Sequence, residues 1–250
     1  MKRLELIGLE YIGEIRAGDS LGQFIVDACS RHGIEIGDDD VLVVAQKIVS
    51  KAEGRIVNLQ DIQPSARAKA LARELDKEPA LVEVILGESR TVIRSGGRAL
   101  IVETKHGFIC ANAGVDQSNV GLKQVSLLPE DPDRSAVALR REIYDRTGKK
   151  PAVLISDSFG RAWRLGTVDV AIGIAGMSAT KDERGMHDRH GYQLKAAVAA
   201  VADEIAAAAE LVMGKRDGIP VVLVRGFETK KKEDGSAREL LRPEAEDLFR

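Results

Sequence analysis

The stretch from Val153 to Gly176, VLISDSFGRAWRLGTVDVAIGIAG, constrains the fold more than any other part of the chain. Val153 to Ile155 are continuously apolar, as a strand buried on both faces must be, so a sheet has to be built around them. That strand delivers Asp157 and Ser158 into a turn where Gly160 permits a backbone path closed to other residues. Arg161 and Arg164 flank the only tryptophan, Trp163. A carboxylate, a hydroxyl and two guanidiniums at one strand end suit phosphate chemistry. A hard cation such as Mg²⁺ takes oxygen ligands and shares them with a triphosphate, while arginine forks match phosphate oxygens in pairs. The plain alternative is that Asp157 caps a turn and the arginines are solvated.

A second segment, LIVETKHGFICANAGVDQSNVG from Leu100, reads as strands over 100–103 and 107–110 around a polar turn, then an irregular loop from Asn112 to Asn119. Asp116, Ser118 and Asn119 offer side-chain oxygens there, and Gly114 lets backbone approach a ligand. Asx-turn chemistry alone would also explain such a loop. In a third segment, the β-branched run Val41 to Ala45 leads as a buried strand into Gln46, Lys47, Ser50 and Lys51. Lysine at such a place meets phosphate as a point charge. The GxxxxGK[ST] spacing is absent, so a nucleotide would need another loop set.

These segments, with HGYQLKAAVAAVADEIAAAAELVMGK and IPVVLVRGF behind them, resemble the coenzyme F420-0:L-glutamate ligase, or F420 γ-glutamyl ligase, family. The likeness runs in order from about Gly8 to Phe227. In its AWR and GK turns the chain looks closer to the bacterial branch, where the ligase is often the N-terminal half of a two-domain protein; the ligase domain only is expected here.

The resemblance implies a GTP-dependent and metal-dependent ligase of F420 biosynthesis, using Mg²⁺ or Mn²⁺ as two divalent ions, with K⁺ a further candidate. GTP would phosphorylate the lactyl carboxylate of F420-0, and the amine of L-glutamate would displace phosphate, first by its α-amino group and later through γ-linkage. Residue by residue, the resemblance makes Asp116 and Asp157 metal ligands, with Ser158 beside the second ion, and Asn119 a GTP contact. It gives Ile12, Gly13, Glu14 and Ile15 as a nucleotide loop, Gln46 and Lys47 as a polar pair, and Lys51 as a nucleotide-binding lysine. It also implies an intertwined homodimer of α+β mixed-sheet fold. Arg161 and Arg164 are added on their own chemistry, as clamps on phosphate or the anionic F420-0 tail.

Two departures stand out. Archaeal members carry Met-Gly-Glu, whose glutamate serves the second metal, where this chain has Met213-Gly214-Lys215, leaving Asp217 or another acid for that ligand. The N-terminal loop reads Tyr11-Ile12-Gly13-Glu14 and lacks the family's proline.

Composition agrees. With 250 residues, 44% of them hydrophobic, the chain can fill one catalytic unit, 1–250, or two intimate subdomains. A net charge of −2 gives no reason to expect nucleic acid or an anionic membrane as partner. No signal-peptide core stands behind the N-terminus, and no run reaches the roughly 18 apolar residues of a span. Cys29 and Cys110 match no metal spacing, which fits a reducing cytoplasm. His187 and His190 sit in a polar loop without a third zinc ligand.

Helices are expected over Ser20–His32 capped by Asp19, over Pro64–Asp76 and Pro79–Leu86 opened by prolines, and over Ser135–Thr147 closed by Gly148. The longest should run from Tyr192 to Met213 and offer an alanine-rich face to a partner, and Ile219 to Val224 form a last strand. The charged tail from Thr229 reads as a loop before a short helix. Two rival functions keep their place: the same ligation on another acid, and a GTP-binding regulatory protein without catalysis.

Overall fold

Two of the apolar runs lie side by side and parallel in the middle of a five-stranded sheet in the computed structural model, which describes residues 2–97 and 99–248. In chain order the elements begin with β1 (Glu5–Gly8), α1 (Leu21–Arg31), β2 (Val41–Ala45), α2 (Gln46–Ala52) and β3 (Ile56–Asn58). Next come α3 (Ala66–Leu75), α4 (Pro79–Gly87), β4 (Ser89–Gly96), β5 (Ala99–Thr104), β6 (Ile109–Ala111) and β7 (Gln124–Ser126). The C-terminal half carries α5 (Pro132–Thr147), β8 (Ala152–Arg161), β9 (Arg164–Ala175), β10 (Lys181–Asp182), β11 (Val198–Ala199), α6 (Val201–Met213) and β12 (Val221–Arg225).

The sheet order is β1-β12-β2-β8-β9, in which only β2 and β8 run parallel. This is the expected mixed sheet of an α+β fold. Val41 to Val44, Val153 to Ile155 and Val221 to Leu223 are completely buried. Each such side chain contributes about 1.5–3 kcal/mol by leaving water. Helices α5 and α6 both pack on β9. Because β9 is an edge strand, its outer N–H groups need partners, and acids from the first turns of those helices supply them. Asp133 accepts from Ile174 N–H at 2.9 Å and Asp203 from Ala171 N–H at 2.9 Å. A second hydrophobic cluster gathers α3 and α4 against the β4-β5-β6 sheet, through Leu75, Val82, Ile85, Leu100 and Val102. Among the described residues no helix is long and apolar enough to cross a membrane.

Several expected boundaries shift. Ser20, not Asp19, caps α1, and Asp19 instead accepts from Arg16 N–H at 2.7 Å. Ser65 caps α3, so Pro64 lies outside it, whereas Pro79 and Pro132 do open α4 and α5. Gly148 closes α5 with φ 70°. The helix expected from Tyr192 begins only at Val201, because Val198 and Ala199 are held as a strand against β10. Its alanine face is not free for a partner either: Ala202, Ala206 and Ala209 are buried in this chain's own core. The tail forms short 3₁₀ turns at Ala237–Leu240 and Glu244–Glu246.

Arg225, at the end of β12, ties that strand to the start of β2. It donates from Nε and Nη2 to Asp40 at 2.8 and 2.7 Å, and Asp40 is only 4% exposed. Arg225→Met strands that carboxylate. We expect urea unfolding to show a loss of about 2–4 kcal/mol, largely recovered when Asp40→Asn is added.

Candidate functional site

The parallel pairing of β2 with β8 ends at Ala45 and Ser156, and the two segments part there. β2 turns directly into α2, which carries Gln46, Lys47 and Lys51. β8 crosses a register irregularity between Ile155 and Ser156, which re-aims the side chains after it, and continues as a long hairpin with β9. Asp157 and Ser158 therefore lie within a strand, just beyond the end of the parallel pair, and not in a turn as expected. Asp116 arrives from the other side, on a loop that Ser126 anchors by backbone hydrogen bonds of 3.1 and 2.8 Å.

These segments wall a cavity of about 1210 Å³. Lys47 Nζ donates to Asp116 Oδ2 at 2.8 Å and to Ser118 Oγ at 2.6 Å, and Ser118 N–H reaches Asp116 Oδ1 at 2.7 Å. Burial pushes the Asp116 pKa up, but Lys47 and Ser118 together outweigh it and hold the carboxyl below its ordinary value. Asp157 lacks such a partner. Burial raises it, the Asp169 and Asp116 carboxylates add to that against the Ser158 backbone N–H and Lys47, and its pKa reaches about 7 from an ordinary 3.8. Asp169 is 5% exposed and accepts from Ser156 Oγ at 2.8 Å and Ser158 Oγ at 2.7 Å. With its proton given to Asp169, the Ser158 oxygen keeps lone pairs for another ligand.

Asp116, Asp157 and Asp169 thus face one cavity, and Asp157 is driven toward neutrality, chiefly by burial and then by its carboxylate neighbours. Among the described residues no group of three or more His, Cys, Asp or Glu is assembled at metal-binding distance. The donors of Asp116, Asp157, Asp169 and Ser158 are nonetheless all oxygen, so these residues fit a hard divalent cation.

Most of the expected site residues meet here. Gly13, Glu14, Ile15, Gln46, Lys47, Lys51, Asp116, Asn119, Asp157 and Ser158 all line the cavity. Lys51 Nζ is paired with Glu14 Oε1 at 2.5 Å, and Gln46, buried, accepts from Ser50 Oγ at 2.8 Å. Ile12 is a core residue, 3% exposed, and lies outside the lining. Arg161 and Arg164 oppose one another at the exposed hairpin tip, outside the cavity lining although Gly160 and Thr167 just below them line it, and Arg161 donates to Leu165 O at 2.8 Å. Lys215 lines the cavity while Asp217 does not; the further acids there are Glu210 and Asp169. Sequence reasoning misses both of these acids, although Asp169 leaves a signal, an acid inside the apolar run VDVAIGI. His187 and His190 stay in an exposed loop, and His106 Nε2 lies between the Pro129 and Glu130 carbonyls at 2.9 and 3.1 Å.

A cleft where the parallel strands end, lined by interleaved lysines and carboxylates, lies in a mixed α+β protein at the place where such sheets commonly bind small molecules. Residues 11–226 match the F420-0:Gamma-glutamyl ligase family, and the chain belongs to it. It is 46% identical over 249 residues to the coenzyme F420:L-glutamate ligase of Methanothermobacter thermautotrophicus, covering 99% of each chain. The enzyme of that name from Methanocaldococcus jannaschii is 42% identical over 250 residues, covering 100% of this chain and 98% of the other. That of Archaeoglobus fulgidus is 45% identical over 249 residues, covering 99% and 97%.

The raised Asp157 pKa makes stability depend on pH. A carboxyl that holds its proton more tightly when folded favours folding below its unfolded pKa, and that contribution is lost as pH rises through about 7. Asp157→Asn removes the titration. In metal-free protein we expect the variant to be more stable than wild type above neutrality by about 1–3 kcal/mol, the two converging near pH 4. Chemical denaturation across pH checks this, and equal slopes would contradict it.

Proposed function

We propose that this chain is a GTP-dependent and divalent-metal-dependent ligase that joins L-glutamate to coenzyme F420-0, first through the α-amino group and then by γ-linkage. The observation that carries the reading is the meeting of Asp116, Asp157 and the Asp169-held Ser158 hydroxyl with Lys47 and Lys51 in one cavity. Membership of a family described as F420-0:Gamma-glutamyl ligase supplies the substrates. In the reaction the F420-0 carboxylate takes the γ-phosphoryl group from GTP, leaving GDP. The amine then forms the amide C–N bond as the acyl C–O bond to phosphate breaks, and its surplus protons pass to water.

Asp116, Asp157 and Ser158 would hold Mg²⁺ or Mn²⁺, and bound ions there would offset triphosphate charge. Lys47 and Lys51 are within the cavity to meet phosphate oxygens once they exchange Asp116 and Glu14 for them. Asp169 acts through Ser158 as a positioning residue. Phosphoryl transfer asks mainly for such placement and charge compensation. Two buried free cysteines support a cytoplasmic setting. A homodimer is proposed on the exposed hairpin arm, where Trp163 is 86% and Leu165 97% exposed.

Mass spectrometry after incubation with F420-0, GTP and glutamate tests the reading: products heavier by one or more glutamyl units are expected with GTP, and far less with ATP. Asp116→Asn and Asp157→Asn should each lower ligation by about 100-fold or more across a Mg²⁺ and Mn²⁺ titration. Near-wild-type turnover in both would end the metal assignment. In light scattering the protein should keep a dimer mass at micromolar concentration; a monomer would remove the homodimer proposal.

A further inference from the structure

A second, smaller cavity of about 500 Å³ adjoins the Asp116 loop. Asn112, Val115, Asp116 and Ser118 line both this cavity and the main one, while Lys77, Leu81 and Gln117 line the smaller one alone. Its size suits a small metabolite. Lys77 stands half-buried in the turn between α3 and α4, and among the described residues no ion pair or side-chain hydrogen bond engages its ammonium. Asn112, in the shared wall, holds its side-chain Oδ1 buried without any hydrogen-bond partner. A buried acceptor left unmatched is unfavourable, and a ligand bringing a donor would relieve it.

The geometry points to this cavity as the subsite for the amino-acid substrate, with Lys77 pairing a carboxylate of L-glutamate and the Asn112 amide, turned out of the wall on binding, accepting from its amino group. The assignment rests on the ligase reading above. A triphosphate and a carboxylate acceptor offer mainly anionic oxygens, which match the lysines of the main cavity. A free amino acid joins an anion and a cationic N–H donor in one small body, and the smaller cavity has the Lys77 ammonium in its lining and the unsatisfied Asn112 amide within its wall. The shared wall would bring the amine beside Asp116, at the edge of the cavity where an acyl phosphate would stand. Asn112 has φ 55°, so a Gly replacement keeps its left-handed backbone while deleting the amide.

Steady-state kinetics of the full chain with F420-0, GTP and varied L-glutamate test this. Lys77→Met and Asn112→Gly should each raise KM for glutamate about tenfold or more, the loss of one charge-assisted or amine hydrogen bond, with kcat and KM for GTP within about twofold. Lys77→Arg, which keeps the charge, should stay within about threefold of wild type in KM for glutamate. If wild type ligates glutamate while both variants keep its KM, the subsite is wrong and the ligase reading stands. A rise in KM for GTP or F420-0 instead would give the cavity to that substrate and likewise overturn the assignment. A wild type that adds no glutamate to F420-0 overturns the ligase reading and this inference together.

Discussion

Everything at the site hangs on where β2 and β8 stop pairing. They are the only parallel neighbours of the central sheet, and their last paired residues are Ala45 and Ser156. Parallel strands emerge from a sheet in the same direction, so the residues just past their ends open onto a common crevice. Here one delivers Lys47 and the other Asp157, from backbones whose preceding residues, Val44 and Ile155, are completely buried. Close-packed interiors yield little to small forces, so the positions of the cation and the carboxylate are set by core packing. The Asp116 loop closes the crevice from the second hydrophobic cluster, to which Ala113 and Val125 belong. The cavity is therefore bounded by two packed bodies of side chains and not by loops alone.

Charge in that crevice is arranged for exchange. Without a ligand, Lys47 neutralises Asp116, and Lys51 is met by Glu14, whose side chain is 73% exposed. The Lys51–Glu14 pair is open to water at its Glu14 end and yields to an incoming anion at small cost, whereas Lys47–Asp116, with side chains 16% and 42% exposed, is half-buried and held more firmly. Asp157 is the exception, because its neighbours are carboxylates and its burial is not compensated. A folded state that keeps such a group gives up stability, a pattern common at active sites.

The central strands were legible in sequence because continuous apolar runs have few alternatives, and Lys47, Lys51, Asp116 and Asp157 were legible because each comes after such a run or strand. Other features were hidden by tertiary context. β4 shows no clean alternation, since its pairing with β5 shifts register between Ser89 and Thr91 and again between Val92 and Arg94. The arginines flanking Trp163 looked like a site because Gly160 suggested a turn; the strands run on through it, pairing Gly160 with Thr167, and carry both arginines to the tip. The alanine-rich stretch before Val201 has helical propensity throughout, yet Val198 and Ala199 pair with β10, which no local preference foretells. Ile12 belongs to a segment read as one nucleotide loop, but it turns into the core while Gly13 and Glu14 line the cavity.

The turn that aims Asp116 shows the same trade at the level of the backbone. Asn112, Ala113 and Gly114 succeed one another with φ of 55°, 56° and 69°. Glycine and asparagine visit this left-handed region readily, but alanine does so at about 1–2 kcal/mol. Ala113 is 2% exposed, so its methyl group is packed in the second cluster and recovers part of that energy by burial. Gly114 has no such choice, because a Cβ there would stand 2.7 Å from Leu128 Cδ2. With Val115 N–H closing the turn onto Asn112 O at 2.9 Å, the chain has one compact path from β6 to Asp116. That path sets Asn112 in the lining that the two cavities share.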